Sequence, residues 1–388
     1  MVKIGKEKND SKSRIGKLHS TYMIVPFLWG RLRFGMVSGI GLLQICCVAI
    51  AVSIFFTSCG GGSVPGYLRD AKVDISKWTP TKEVVLKKDS LNLVKAIVPL
   101  QDSTEFLIVS DNQVCKLSNY KLNPEYKVIS PRLSDHLAIV RNTSGEPSYI
   151  VGGGLWGKPS VAVFDINGQL KWEKESGFDG MGKTAVLDDG DERFVVVENS
   201  DSALLYLSFE TGEIVRKGSP ARILTSADFT GDGHQEMFVG RGEVDFAVLD
   251  GKEHELSRLK VSDAYWYEPV VTSSVLPYVV LSAGDTLDVY DSNLKLLKKY
   301  NAVGATSPMH VVAATFIGIA PDAMFAAVYK GRGGWHRSIL FVFSSTGELV
   351  YKEILGDDYQ SICPVNSGGK MEFLVGGRNE VLLYSFQQ

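Results

Sequence analysis

"ILTSADFTGDGHQEMFVGRGEVDFAVLDGKEHELSRLK", residues 223–260, decides how the rest of the chain is read. A small, aliphatic run opens it, and an acidic, glycine-bearing turn leads into "EMFVG". The alternating run "DFAVL" follows, then a polar turn and "ELSRLK". Four short runs joined by Gly/Asp turns describe an antiparallel meander, and no apolar stripe of helical period and length intervenes.

Outward in both directions the pattern recurs. Similar units begin at Lys95, Leu137, Thr184, Ile223, Pro269, His310 and Ser361. Their anchor residues Ala96, Ala138, Ala185, Ala227, Val271, Ala313 and Ile362 step by 42, 47, 42, 44, 42 and 49. A period in the forties with four strands per unit is the signature of a β-propeller blade. Six units are full and the last stops after three strands, while "TKEVVLKKDSL" (81–91) has no unit of its own. We therefore expect an all-β, seven-bladed β-propeller of four-stranded antiparallel blades over residues 81–388. The strand at 81–91 is expected to close it as the outer strand of the last blade, removing an exposed edge. The 39 glycines suit a chain rich in tight turns.

Ahead of the repeats the character changes. Residues 1–35 carry eight Lys/Arg against two acids, a local +6, leaving −9 for the remainder. A body that acidic argues against nucleic-acid binding, which needs a positive footprint. From Met36 to Ser58 there is no charge, and "CGGGSVPG" follows. A basic flank, an apolar run and small residues before a cysteine compose an export signal. Residues 1–58 are thus read as signal peptide or membrane-anchor helix, and 59–80 as a flexible Gly-rich tether. Phe56-Thr57-Ser58-Cys59 resembles a bacterial lipobox, with Phe56 where leucine is usual. The resemblance implies lipidation of Cys59, and Gly60 in place of aspartate implies the outer membrane if the cell has one. The alternative is an uncleaved anchor, since about 23 apolar residues suffice to span ~30 Å. Both readings put residues 60–388 outside the cytoplasm. Translation from Met23 would keep Arg31 and Arg33 as the basic flank. Of the five cysteines, Cys115 and Cys363 remain in the body, read as buried thiols rather than a bridge.

"DFTGDGHQE" is similar to the turns of FG-GAP/VCBS repeats in integrin-like propellers. "VFDINGQLKW", "SFETGEIV" and "FSSTGELVY" resemble outer turns of quinoprotein-like propellers. The first resemblance, with alternating oxygen donors around Gly233, implies one structural calcium ion. Its ligands would be Asp228, Thr230, Asp232, the His234 carbonyl and Glu236, with Thr230 standing where Asn is usual.

In a four-strand meander the loops after the second and fourth strands share one face. There the sequence places Trp156 in "GGGLWGKPS", Trp266 in "SDAYWYEP", and Arg332, Trp335, His336 and Arg337 in "YKGRGGWHRS". Aromatic and arginine side chains are the stock of binding hot spots, so this face is the expected ligand surface. Trp172 is read as blade packing, and the acidic pairs Asp189/Asp191 and Asp357/Asp358 as solvated turns. Nucleophile-elbow, zinc-protease and Walker signatures are absent from the sequence. The expected function is a tethered binding or scaffold module for an envelope protein or glycan. The alternatives are a propeller enzyme at the axial channel, of lyase, glycosidase or quinoprotein type, and an outer-membrane assembly factor pairing through its outer strands.

Overall fold

The computed structural model describes residues 78–386, apart from 101–103, 112, 122–123, 131–135, 143–146, 156–157, 176–182, 191, 199–202, 263–268, 273–276, 304, 306–308, 319–322, 331–337, 357 and 367–369. The strands are β1 (Pro80–Lys87), β2 (Val94–Pro99), β3 (Glu105–Ser110), β4 (Val114–Ser118), β5 (Glu125–Ser130), β6 (His136–Arg141), β7 (Pro147–Leu155), β8 (Lys158–Asp165), β9 (Leu170–Glu175), β10 (Thr184–Asp189), β11 (Glu192–Glu198), β12 (Ala203–Ser208), β13 (Ile214–Pro220) and β14 (Arg222–Ala227). There follow β15 (Glu236–Gly240), β16 (Asp245–Leu249), β17 (Glu255–Lys260), β18 (Val270–Val271), β19 (Val279–Ala283), β20 (Thr286–Tyr290), β21 (Leu296–Asn301), β22 (His310–Ile317), β23 (Met324–Lys330), β24 (Ser338–Phe343), β25 (Leu349–Ile354), β26 (Ser361–Asn366), β27 (Met371–Gly376) and β28 (Glu380–Phe386). They form seven four-stranded antiparallel sheets, the blades of a β-propeller. Blades 1 to 6 are consecutive meanders, β2–β5 through β22–β25, and blade 7 has the order β1-β28-β27-β26. No helix among the described residues is long and apolar enough to cross a membrane, and the uncharged run 36–58 lies outside them.

The middle strands read as unbroken apolar runs because they are buried on both faces. In β23, Phe325, Ala327 and Tyr329 enter the core shared with blade 5, while Met324, Ala326 and Val328 enter the core shared with blade 7. In β24, Ile339, Phe341 and Phe343 face the first core, Leu340 and Val342 the second. The two-residue period of a strand thus feeds two different interfaces. Every junction has its own cluster: blades 7/1, 1/2, 2/3, 3/4, 4/5, 5/6 and 6/7. Cys115 and Cys363 are free thiols inside the 7/1 cluster, and burial pushes the Cys115 pKa up to about 12.

The turns between third and fourth strands share one device. Their closing positions have φ of +91° at Gly168, +71° at Gly212, +67° at Glu253, +60° at Leu294 and +93° at Gly347, the blade 3 turn from Ser208 to Gly212 being one residue longer than the others. Each is followed by a register shift in the strand pair, the pattern of a type I turn closing with a bulge. The third residue of the outer strand then reaches the next blade's turn. Trp172 Nε1 donates to Phe209 O at 2.7 Å, Arg216 Nη2 to Gly251 O, and Lys298 Nζ to Ser345 O at 2.5 Å. Glycine is needed where the backbone approaches: a Cβ on Gly212 would lie 2.8 Å from Trp172 Cε3. Blade 4 has Ser257 at this position, and its junction with blade 5 uses Leu294, buried in that core, instead.

A comparison of two glycines isolates the clasp. Gly190→Ala, at φ +63° with open space around it, should cost about 1 kcal/mol from backbone strain. Gly212→Ala adds the collision with Trp172, and we expect a total of about 2–3 kcal/mol. Urea melts giving equal losses for the two would remove the clasp from the account.

Candidate functional site

The loop between β14 and β15 is built around its own acids. Asp228 Oδ1 accepts hydrogen bonds from the N–H groups of Gly231 (2.6 Å) and Asp232 (3.2 Å), and Oδ2 accepts one from Gly233 (2.9 Å). Those bonds need Gly231 at φ +78° and Gly233 at +90°, conformations that favour glycine. Asp232 Oδ1 accepts from His234 N at 2.8 Å. Glu236 turns back from the first position of β15, accepting from Phe229 N (2.6 Å) and Thr230 N (3.2 Å) at Oε2, while Thr230 Oγ1 donates to Oε1 at 3.3 Å. Phe229 anchors the loop in the 4/5 core, its ring 5.8 Å from Phe238.

The loop is also clamped to the neighbouring blades. Asp188 Oδ2 accepts from Gln235 N at 3.2 Å, Asp188 N donates to Gln235 O at 3.4 Å, and Gln235 Nε2 reaches Ile139 O at 3.3 Å. Arg193 Nε fixes Asp188 from the other side at 2.6 Å. The result is a rigid cradle in which one carboxylate oxygen from each of Asp228, Asp232 and Glu236 lies within 4.8 Å of the others. Glu236 is buried, which pushes its pKa up to about 7; its two backbone hydrogen bonds oppose the rise and the charges of Asp232 and Asp228 add to it. An all-oxygen donor set with three carboxylates fits a hard cation of the calcium type. Each carboxylate oxygen that accepts one N–H retains a second lone pair for an ion.

Of the residues expected from the sequence, the fold therefore brings Asp228, Asp232 and Glu236 together, with Thr230 bonded to Glu236 and His234 to Asp232. Trp156, Trp266, Arg332, Trp335, His336 and Arg337 lie outside the described residues, as does Cys59. The strand ends that carry them are described. Leu155 pairs with Lys158, so "GGGLWGKPS" is strand on both sides of residues 156–157 rather than an open loop. Lys330 pairs with Ser338 across residues 331–337.

One polar cluster was not legible in the sequence. Asp358, read there as part of a solvated turn, is only 3% exposed and sits between Lys330 Nζ at 3.3 Å and Arg378 Nη2 at 3.2 Å. Arg378 Nη1 continues to Asn92 Oδ1 at 2.8 Å, and Asn92 Nδ2 to Asp111 Oδ2 at 2.9 Å. This chain of charge-assisted bonds joins blades 6, 7 and 1 on the face of the second- and fourth-strand loops. The signal for it is spread over three units and the connection from β1 to β2, so no local motif could carry it.

These features define the class: a seven-bladed β-propeller with an acidic loop in blade 4 that gathers Asp228, Asp232 and Glu236. No protein-family model matches the chain, and no curated protein matches it either.

Proposed function

We propose that the protein is a membrane-tethered, extracytoplasmic β-propeller lipoprotein that serves as a binding or scaffold module for a protein or glycan of the cell envelope. The observation that carries the reading is an order of parts: a charge-free run and Cys59, then a glycine-rich leash, then a propeller. Cys59 is the lipid attachment site, and residues 60–388 face away from the cytoplasm, on the outer membrane where the cell has one. β1 starts at the face of the short turns, beside Phe386. The opposite face, toward which the strand ends flanking Trp156, Trp266, Arg332, Trp335, His336 and Arg337 lead, is the proposed partner surface.

The inner strands favour binding over chemistry in the axial channel. Their charged and histidine residues stand only in the first two or last two positions, as in β2, β6, β10, β14 and β22. A catalytic constellation needs converging acid, base and nucleophile groups, and among the described residues the middles of these strands offer only hydroxyls such as Thr225 and Thr315 and the buried Cys363 thiol, with no acid, histidine or lysine beside them. Charged outer strands such as "LKWEKE" and "LLKKYN" disfavour assembly by edge pairing.

A glycan array and an envelope pull-down with the full-length lipidated protein test the reading. Trp156→Ala and Trp335→Ala should each lower capture by about tenfold or more, the cost of a lost aromatic anchor. Undiminished capture by both variants would reject the face. Cys59→Ser should abolish incorporation of labelled fatty acid and release the protein from membranes, whereas an uncleaved anchor would hold it there.

The acidic loop supports a second, structural role. We propose that Asp228, Asp232 and Glu236 hold one calcium ion, with Thr230 and the His234 carbonyl completing its oxygen shell. The ion braces the loop against blades 3 and 4 and takes no part in chemistry.

A further inference from the structure

β1 is held to the propeller by two sets of contacts separated by a break. In its first half, Thr81, Lys82, Glu83 and Val84 are exposed. Besides backbone pairing with β28, the side-chain catches there among the described residues are few. Trp78 packs against the 6/7 core. Lys82 Nζ donates to Glu353 Oε1 of blade 6 at 2.7 Å and lies 5.6 Å over the Tyr384 ring. Glu353 is held in place by Tyr384 Oη at 2.6 Å and Tyr351 Oη at 2.9 Å.

The pairing register with β28 shifts between Val84 and Leu86. Past that point the contacts change in kind. Val85, Leu86 and Leu91 are buried in the 7/1 core. The connection to β2 is bonded to the β27–β28 turn, with Lys88 N donating to Asn379 O at 2.8 Å, Asn379 N to Asn92 O at 2.7 Å and Val94 N to Gly377 O at 3.1 Å. Gly376 permits the approach, since a Cβ there would meet Val94 Cγ1 at 2.4 Å.

We propose that β1 is the closing strap of the ring and that it opens in two stages, with the register shift as the boundary. Residues 78–84 release first, and residues 85–94 keep blades 7 and 1 joined. Geometry makes the first stage sensitive to pull. Pro80 pairs with Phe386 at the end of β1 where the preceding chain enters, so a pull directed away from β28 reaches the pairs of residues 80–84 before those past the register shift. The strap thus yields locally under a tug on the leash while the propeller stays closed. Only the source of that tug rests on the tethered reading; the two stages are a property of the strand itself.

Hydrogen exchange on the full-length protein in detergent tests the proposal. Amides of residues 81–84 should exchange at least about tenfold faster than those of residues 86–94, as expected of a separately opening unit. The double variant Trp78→Ala/Lys82→Ala should speed exchange in 81–84 by a further factor of about ten while leaving 86–94 unchanged. Equal protection across the whole strap, or a variant that loosens both halves together, would overturn the two stages. Loss of lipidation with the exchange pattern intact would sink the tethered reading alone.

Discussion

A chain that starts at residue 88 should melt about 10 °C below one that starts at residue 78 and should aggregate as it does so. The difference between the two is β1 with Trp78. Removing it strips Val85 and Leu86, 6% and 5% exposed, from the 7/1 core. Full burial of such side chains is worth roughly 1.5–3 kcal/mol each, and the lost Lys82–Glu353 pin adds less because Lys82 is partly solvated. A total near 4–6 kcal/mol corresponds to about 10 °C for a domain of this size. Aggregation follows from the second consequence. Without β1, the whole edge of β28 from Glu380 to Phe386 is left unpaired, and its sequence, "EVLLYSF", is apolar. Differential scanning calorimetry on the two truncations decides the matter. Coincident midpoints would mean that β1 does not carry the last blade.

How much of this was readable beforehand depends on the range over which a signal acts. The blades were legible because each strand period and each turn is local: "FAAVYK" and "ILFVF" announce strands buried on two faces, and "DING", "ETG" and "STG" announce their turns. The acidic loop was legible for the same reason, with Asp228, Asp232 and Glu236 within nine residues of one another. Side chains that work between blades were harder to read, apart from Trp172, whose bulk marks it as blade packing and which packs against the 2/3 core. Trp172, Arg216 and Lys298 occupy one structural position and make one kind of bond, yet they share no chemistry beyond a terminal N–H donor. Their partners are backbone carbonyls, which leave no trace in residue identity. Leu294 and Glu253 hide the turn position that Gly212 and Gly347 reveal, because other contacts compensate for their left-handed backbone. Glu253 Oε2 accepts from Ser219 N of blade 3 at 2.9 Å, and Leu294 fills the 4/5 core. The Asp358 network was misread for a related cause: its cations are 28 residues before and 20 after it.

Glu236 yields the second large effect, through pH. Its carboxyl titrates near 7 in the folded, ion-free protein, against an ordinary value of 4.5. A folded pKa raised above the unfolded one gives stability that is complete below about 4.5 and is lost as pH rises through about 7. Each pKa unit is about 1.4 kcal/mol, so the full loss is on the order of 3 kcal/mol. In chelator, the melting midpoint should therefore fall from pH 4.5 to pH 8 more steeply in the wild type than in Glu236→Gln. The glutamine keeps an acceptor for Phe229 and Thr230 but cannot ionise. Calcium acts in the opposite sense, since a bound cation favours the charged carboxylates that burial and mutual repulsion disfavour. Adding it should raise the wild-type midpoint by several degrees at pH 8, where Glu236 is ionised, and little at pH 5, where the ion must displace a proton. Glu236→Gln should lose most of that response at both values. If the wild type and the glutamine variant trace the same pH curve, the loop carries no buried charge of this kind. If calcium lifts both equally, its site lies elsewhere than between Asp228, Asp232 and Glu236.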